Sequence, residues 1–203
     1  MHKTIKIVLA EDQAMLLGAV AALLDLEPDF SVVGQAKDGE SALSLCMHHQ
    51  PDVLLTDIEM PGMSGIELAE KLQHTEFDGK VIILTTFARS GYLRRAMDAG
   101  VKGYLLKDTP SDELATAIRK VVSGRKMIAP ELVIEAFDEA DPLSEKERKT
   151  LKLAADGLTT EQIAEKLFLS KGTVRNYLSS AASKLNAQNR IEAARIARQR
   201  GWL

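Results

Sequence analysis

Cysteine is nearly missing from this chain: Cys46 is the single one among 203 residues, which excludes an intramolecular disulfide and leaves no thiolate cluster for zinc. Long apolar runs are missing as well. The longest, Ala14 to Leu24 with Gly18 inside it, falls far short of the roughly 18–20 residues a membrane span needs. Met1 to Leu9 show no apolar stretch followed by a small-residue cleavage site, so the cytoplasm is the expected compartment and no membrane insertion is expected. Aromatics supply only 4% of the residues, but 45% apolar and 27% charged residues are ordinary globular usage. No internal repeat or low-complexity tract interrupts it.

The formal net charge of −3 hides a division. From Asp141 onward, 12 Lys and Arg stand against 7 Asp and Glu; before it, 14 stand against 22. An acidic unit joined to a basic one suggests a regulatory or catalytic domain tied to a module that meets a polyanion.

Hydrophobic periodicity alternates between 2 and 3.6 in the acidic part. Short β-rich runs at Ile5 to Leu9, Phe30 to Val33, Asp52 to Thr56, Val81 to Thr85 and Gly103 to Leu106 predict five strands. Helical spacing falls between and after them, at Ala14 to Leu26, Glu40 to His48, Gly65 to Gln73, Tyr92 to Ala99 and Asp112 to Val122. Such alternation predicts a five-stranded parallel, doubly wound α/β sheet with right-handed crossovers. Residues 125–142, with two prolines and the acidic Asp138, Glu139 and Asp141, read as a linker holding a short helix from Glu131 to Ala140. Beyond it four helices are predicted: Ser144 to Ala155, Thr160 to Leu167, Lys171 to Leu185 and Asn189 to Arg200. The pairs Ser64/Glu67, Ser144/Glu147 and Thr159/Gln162 have capping-box spacing, and Ser170 is a candidate N-cap.

Three carboxylates follow predicted strands, where parallel sheets place their ligands: Glu11 and Asp12 after the first, Asp57 after the third. Like charges in one crevice call for a cation, and an oxygen-only cluster suits Mg²⁺. Thr85 and Lys107, at the ends of the fourth and fifth strands, are the hydroxyl and ammonium wanted around a transferring phosphoryl group.

Through VLAEDQ, LLTDIEMPGMSG, VIILTTF and GYLLKD, residues 1 to about 124 resemble the receiver domain of two-component response regulators, a flavodoxin-like fold. The resemblance implies that Asp57 accepts the phosphoryl group and that Asp12, Asp57 and the Glu59 carbonyl bind Mg²⁺, with Glu11 acting through water. It further implies that Thr85 and Lys107 bind phosphoryl oxygens and that Tyr104 is an aromatic switch, moving inward on phosphorylation. Similar proteins often carry a proline after this lysine with a cis peptide before it; Asp108 stands there instead, which leaves that bond's geometry open. Glu59 and Phe87 flank the route of hydrolytic water in similar proteins, so bulky Phe87 is expected to slow phosphoryl loss.

In the basic part, Val174, Leu178, Ala181 and Leu185 recur at helical spacing and face a core, leaving Lys171, Thr173, Arg175, Asn176, Ser179 and Lys184 off that stripe. Arg can fork to guanine, Asn to adenine, and Thr can offer a methyl group to thymine. The run LSKGTVRNYLSSAASKLNAQNRIEAARIA, preceded by LSEKERKTLKLAADGLTTEQIAEKL, resembles the four-helix DNA-binding domain of the NarL/FixJ (LuxR-type) regulators over residues 143–203. It implies Lys171, Thr173, Val174 and Arg175 as groove residues, with Asn176, Ser179 and Lys184 on or near the DNA backbone. The pieces VRNY, NRIEA and the terminal GW, with FARSGY and LLKD upstream, look closest to the subgroup that regulates membrane-lipid desaturation and cell-envelope stress.

The expected protein is a transcriptional regulator, not a metabolic enzyme, phosphorylated by a cognate histidine kinase and then binding double-stranded promoter DNA as a homodimer. RNA polymerase is a further partner that the resemblance allows. The apolar excess at Met15, Leu16, Leu17, Val20, Leu23 and Leu24, with Ala115, Ile118 and Val122, is the expected dimer contact. The D-x-E pattern of Asp57 to Glu59 also occurs in aspartyl-phosphate phosphatases, but these place the nucleophile near the first strand and have no use for a basic helical tail.

Overall fold

Strands that are apolar on both faces must be covered on both faces, and this chain does so with helices between parallel strands. The computed structural model describes residues 4–86, 90–136 and 141–203. Its contacts divide the chain into two compact units, one holding the sheet and most of the helical cover up to Glu135, the other the helices of Ala136–Leu203.

In the first unit β1 (Ile5–Ala10), β2 (Phe30–Ala36), β3 (Val53–Thr56), β4 (Lys80–Thr85), β5 (Gly103–Leu106) and β6 (Met127–Ile128) form one sheet in the order β2-β1-β3-β4-β5-β6, all neighbours parallel. The helices are α1 (Ala14–Asp25), α2 (Gly39–His49), α3 (Gly65–Leu72), α4 (Ser90–Asp98), α5 (Ser111–Val122) and α6 (Pro130–Ala136). The sheet has six strands where five were predicted. β6, inside the stretch read as linker, pairs Met127 with Gly103 and Ile128 with Tyr104. Two residues between Lys126 and Ala129 carry no period and fall below the four to eight that mark a strand. α6 starts a residue earlier than the predicted linker helix; positions 137–140 of that helix lie outside the described residues, as does Phe87.

Leu17, Val20, Ala21 and Leu24 of α1 and Leu114, Ala115, Ala117, Ile118 and Val121 of α5 pack on one face of the sheet against Ile7, Leu9, Val53, Leu55 and Ile82. Ala115 and Ile118 are therefore core residues and offer no surface to a second copy, contrary to expectation; the wide apolar face of an amphipathic helix on a parallel sheet is absorbed by the sheet. Met15 and Leu23 stay outside, 89% and 47% exposed. Arg119 of α5 forks onto Asp29 and Glu27 in the connection between α1 and β2, and its guanidinium lies 4.7 Å from the Phe30 ring centroid.

The second unit packs α7 (Glu145–Ala155), α8 (Thr160–Lys166), α9 (Lys171–Lys184) and α10 (Arg190–Gln199) around Leu143, Leu151, Ile163, Val174, Leu178, Ala181, Leu185, Ala193, Ala197 and Trp202. The three capping boxes form, opening α3, α7 and α8, and Ser170 caps α9 through Thr173 N–H. No described helix is long and apolar enough to cross a membrane.

Candidate functional site

The sheet's own ladder sets the acidic residues in place by running past the strand ends. Glu11 N–H donates to Ala36 O at 3.0 Å, Asp57 N–H to Ala10 O at 2.9 Å, and Lys107 N–H to Thr85 O at 2.8 Å. Each site residue thus begins the loop leaving its strand while its backbone is still held by a neighbouring strand.

Glu11, Asp12 and Asp57 each bring a carboxylate oxygen within 4.8 Å of the others. Lys107 Nζ lies 2.6 Å from Glu11 Oε2 and 3.0 Å from Asp57 Oδ2. Asp57 Oδ1 accepts from Ile58 N–H at 2.7 Å, and Glu11 Oε1 accepts from Gln13 N–H at 3.2 Å. Glu11, Asp57 and Thr85 are buried, whereas Asp12 and Glu59 are exposed. Burial pushes the Asp57 and Glu11 carboxyls above the usual carboxylate range, with Lys107 opposing the rise in both. Burial also opposes the charge on Lys107, but its bonds to Glu11 and Asp57 hold its pKa above that of a free lysine. Such an oxygen-only donor set, with one carboxylate open to solvent, fits a hard divalent ion that keeps several waters.

Tyr104 is fully buried on β5, so the inward position expected only after phosphorylation is the one it already occupies. The Lys107–Asp108 bond is trans, like every described peptide bond. Thr109 N–H donates to Leu106 O and turns the chain there. One residue escaped the sequence reading: Gly65, where a Cβ would stand 2.0 Å from Asp57 O, so α3 can start against the loop that carries Asp57 only without a side chain. Its place directly after the Ser64 cap was the available signal.

On the helical unit Lys171, Arg175, Asn176 and Ser179 are exposed along α9, and Thr173 is half-buried with its Oγ1 2.8 Å from Ser170 Oγ. Val174 is not a groove residue. It is fully buried, because it belongs to the same core-facing stripe as Leu178 and Ala181. Lys171 Nζ sits 3.0 Å from Glu161 on α8. Lys184 Nζ is 2.7 Å from Glu147 Oε2, and Ser180 Oγ donates to Glu147 Oε1 at 2.6 Å. Burial would raise the Glu147 carboxyl; the bonds from Lys184, Ser180 and Ser144 outweigh it and hold its pKa down at about 2. Glu147 therefore both caps α7 and ties it to α9.

Comparison with known proteins agrees with this geometry. Residues 7–119 match the response regulator receiver domain, and residues 141–197 match the bacterial regulatory proteins of the luxR family. The chain is 52% identical to the transcriptional regulatory protein DesR of Bacillus subtilis, over 98% of both chains. It is 53% identical to the uncharacterized transcriptional regulatory protein YvfU of the same organism, over 98% of this chain and all of the relative. Among solved structures, the response regulator ChrA of a heme-sensing two-component system matches with a TM-score of 0.59 at 34% identity, over 98% of this chain and 99% of that one. The RcsB–DNA complex matches with a TM-score of 0.65 at 25% identity, over 97% and 98%. A parallel sheet with a carboxylate and lysine pocket, joined to a helix-turn-helix unit, thus has a family: the chain belongs to the NarL/FixJ (LuxR-type) two-component response regulators and regulates transcription through its DNA-binding domain.

Proposed function

We propose that Asp57 accepts a phosphoryl group from the phosphohistidine of a cognate histidine kinase. The observation that carries this reading is the convergence of Glu11, Asp12, Asp57 and Lys107 at the ends of β1, β3 and β5. An Asp57 carboxylate oxygen attacks phosphorus, the phosphorus–nitrogen bond breaks, and the imidazole leaves with the electron pair. Asp12 and Asp57, with the Glu59 carbonyl, would hold Mg²⁺ directly, and Glu11 through water. Bound there, the ion would neutralise charge on the phosphoryl oxygens. Lys107 is already 3.0 Å from Asp57 and orients a phosphoryl oxygen with little movement, while Thr85 at the end of β4 donates its hydroxyl to another. Hydrolysis of the acyl phosphate resets the protein.

Phosphorylation shifts the population toward a homodimer. Exposed Met15 and Leu23 on α1 are the apolar groups available for its contact, and Val122 lies half-buried on α5. The dimer places two copies of α9 on paired half-sites of promoter DNA, with Lys171, Thr173, Arg175, Asn176 and Ser179 toward the duplex. RNA polymerase would then meet the protein at the promoter. The motif run VRNY with NRIEA and GW supports membrane-lipid or cell-envelope genes as targets, which transcript profiling of a deletion strain checks.

Footprinting at fixed salt, with and without acetyl phosphate and Mg²⁺, tests the scheme on wild type and Asp57→Asn. The expected result is protection that strengthens with the donor in the wild type alone, together with a mass gain of about 80 Da for one phosphoryl group. Equal protection by Asp57→Asn would refute it. A Met15→Asp/Leu23→Asp variant that takes up the phosphoryl group yet stays monomeric in light scattering supports the α1 contact; undiminished dimerisation removes it.

A further inference from the structure

Six of the described helices end in the same backbone motif, in which two consecutive amides turn back onto carbonyls of the last turn and the first of the two residues takes positive φ. After α4, α5, α7 and α10 that residue is Gly100, Gly124, Gly157 and Gly201, and after α9 it is Asn186. After α8 it is Phe168, with φ of 55°: its N–H donates to Glu165 O at 3.2 Å and that of Leu169 to Ala164 O at 2.8 Å. A bulky side chain is strained in this region, where glycine is not and asparagine is tolerated. Packing does not repay the strain, since Phe168 is 95% exposed and stands outside the core that its neighbours Leu167 and Leu169 join.

Local preference and core packing thus both argue against phenylalanine at this position, and strained residues of this kind gather at functional sites. Its position indicates what it meets. Phe168 opens the turn between α8 and α9, two residues before the Ser170 cap and just ahead in the chain of exposed Lys171, Arg175 and Asn176. Exposed Lys166 and Lys171 flank it, alongside the acidic Glu165. We infer that Phe168 is a DNA-contact residue, laying its ring on an apolar group at the edge of the bound half-site. Two groups of the duplex have that chemistry, the thymine C5-methyl in the major groove and the deoxyribose of the backbone.

The test uses full-length protein treated with acetyl phosphate and Mg²⁺, and as probe a duplex selected from a random pool by the wild type. Phe168→Gly removes ring and strain together; Phe168→Ala removes the ring and keeps the positive φ on a residue with Cβ. Stability and binding should then move in opposite directions. For Phe168→Gly, unfolding followed by Trp202 fluorescence should shift up by about 4–8 °C, while affinity falls on the order of tenfold. For Phe168→Ala the affinity falls as far without the gain in stability. The salt slope of binding stays unchanged in both, because no phosphate contact is lost. Replacing probe thymines by uracil separates the two partners. A position where uracil weakens the wild type but not Phe168→Gly identifies a thymine methyl; no such position identifies the deoxyribose. Unchanged affinity in both variants overturns the inference, and so does a Phe168→Gly protein that is less stable, which marks a structural role. Transcription lost with DNA affinity intact also overturns it, in favour of a protein partner.

Discussion

Glu147 offers the sharpest quantitative test, because one carboxylate joins two helices and one tryptophan reports on them. Its side chain is 6% exposed and accepts from Ser144 N–H, Ser180 Oγ and Lys184 Nζ, so the ionised form is held in the folded state and not in the unfolded one. A carboxyl lowered from 4.5 to about 2 contributes about 3 kcal/mol at neutral pH. The sign follows from a depressed folded-state pKa: the contribution is fully present above pH 4.5 and is lost as pH falls towards 2. Glu147→Gln keeps the shape and removes the charge. Urea unfolding of the full chain, followed by Trp202 fluorescence, isolates this unit because Trp202 is the only tryptophan and is buried in its core. The stability gap between wild type and Glu147→Gln should be about 3 kcal/mol at pH 6 and less than half that near pH 3. A gap that stays constant over that range would refute the account of Glu147 as an ionised tie between α7 and α9.

Other consequences can be checked at the bench. Lys107→Ala leaves Glu11 and Asp57 facing each other with their main counter-ion gone, which should cost about 3 kcal/mol without metal. Millimolar Mg²⁺ should then raise the melting temperature of that variant more than that of the wild type, as differential scanning fluorimetry would show. Gly65→Ala drives a methyl group onto Asp57 O and should abolish phosphoryl uptake from acetyl phosphate, read on phosphate-affinity gels, even where the protein still folds. The Cys46 thiol is fully buried and pushed up to about 12 by that burial, so native protein should resist a thiol-titrating reagent at pH 8 while urea-unfolded protein reacts with one equivalent.

Much of the fold was legible because its signals are local. The central strands of a sheet covered on both faces appear as unbroken apolar runs, and capping boxes announce helix starts by spacing alone. The pocket was legible for a related reason: a parallel sheet presents its ligands at strand ends, so three carboxylates, a hydroxyl and a lysine placed there needed no long-range information. What was not legible depends on partners distant in sequence. Lys184 looks like a phosphate ligand until Glu147, on another helix, is placed beside it. Ala115 and Ile118 look like surplus apolar surface until the sheet fills in beneath them. Val174 differs from these, since its period already put it inside and only the resemblance drew it out to the groove. β6 escaped because a parallel partner, not its own pattern, makes it a strand.

That last strand also governs how copies can meet. A sheet border with unpaired amides and carbonyls is a template on which a second chain can add, and a regulator gathered in pairs along a promoter is exposed to that hazard. Here the border beside Gly103 and Tyr104 is sealed by the molecule's own backbone, over a length too short to recruit another strand in turn. Association on that side is left to side chains alone.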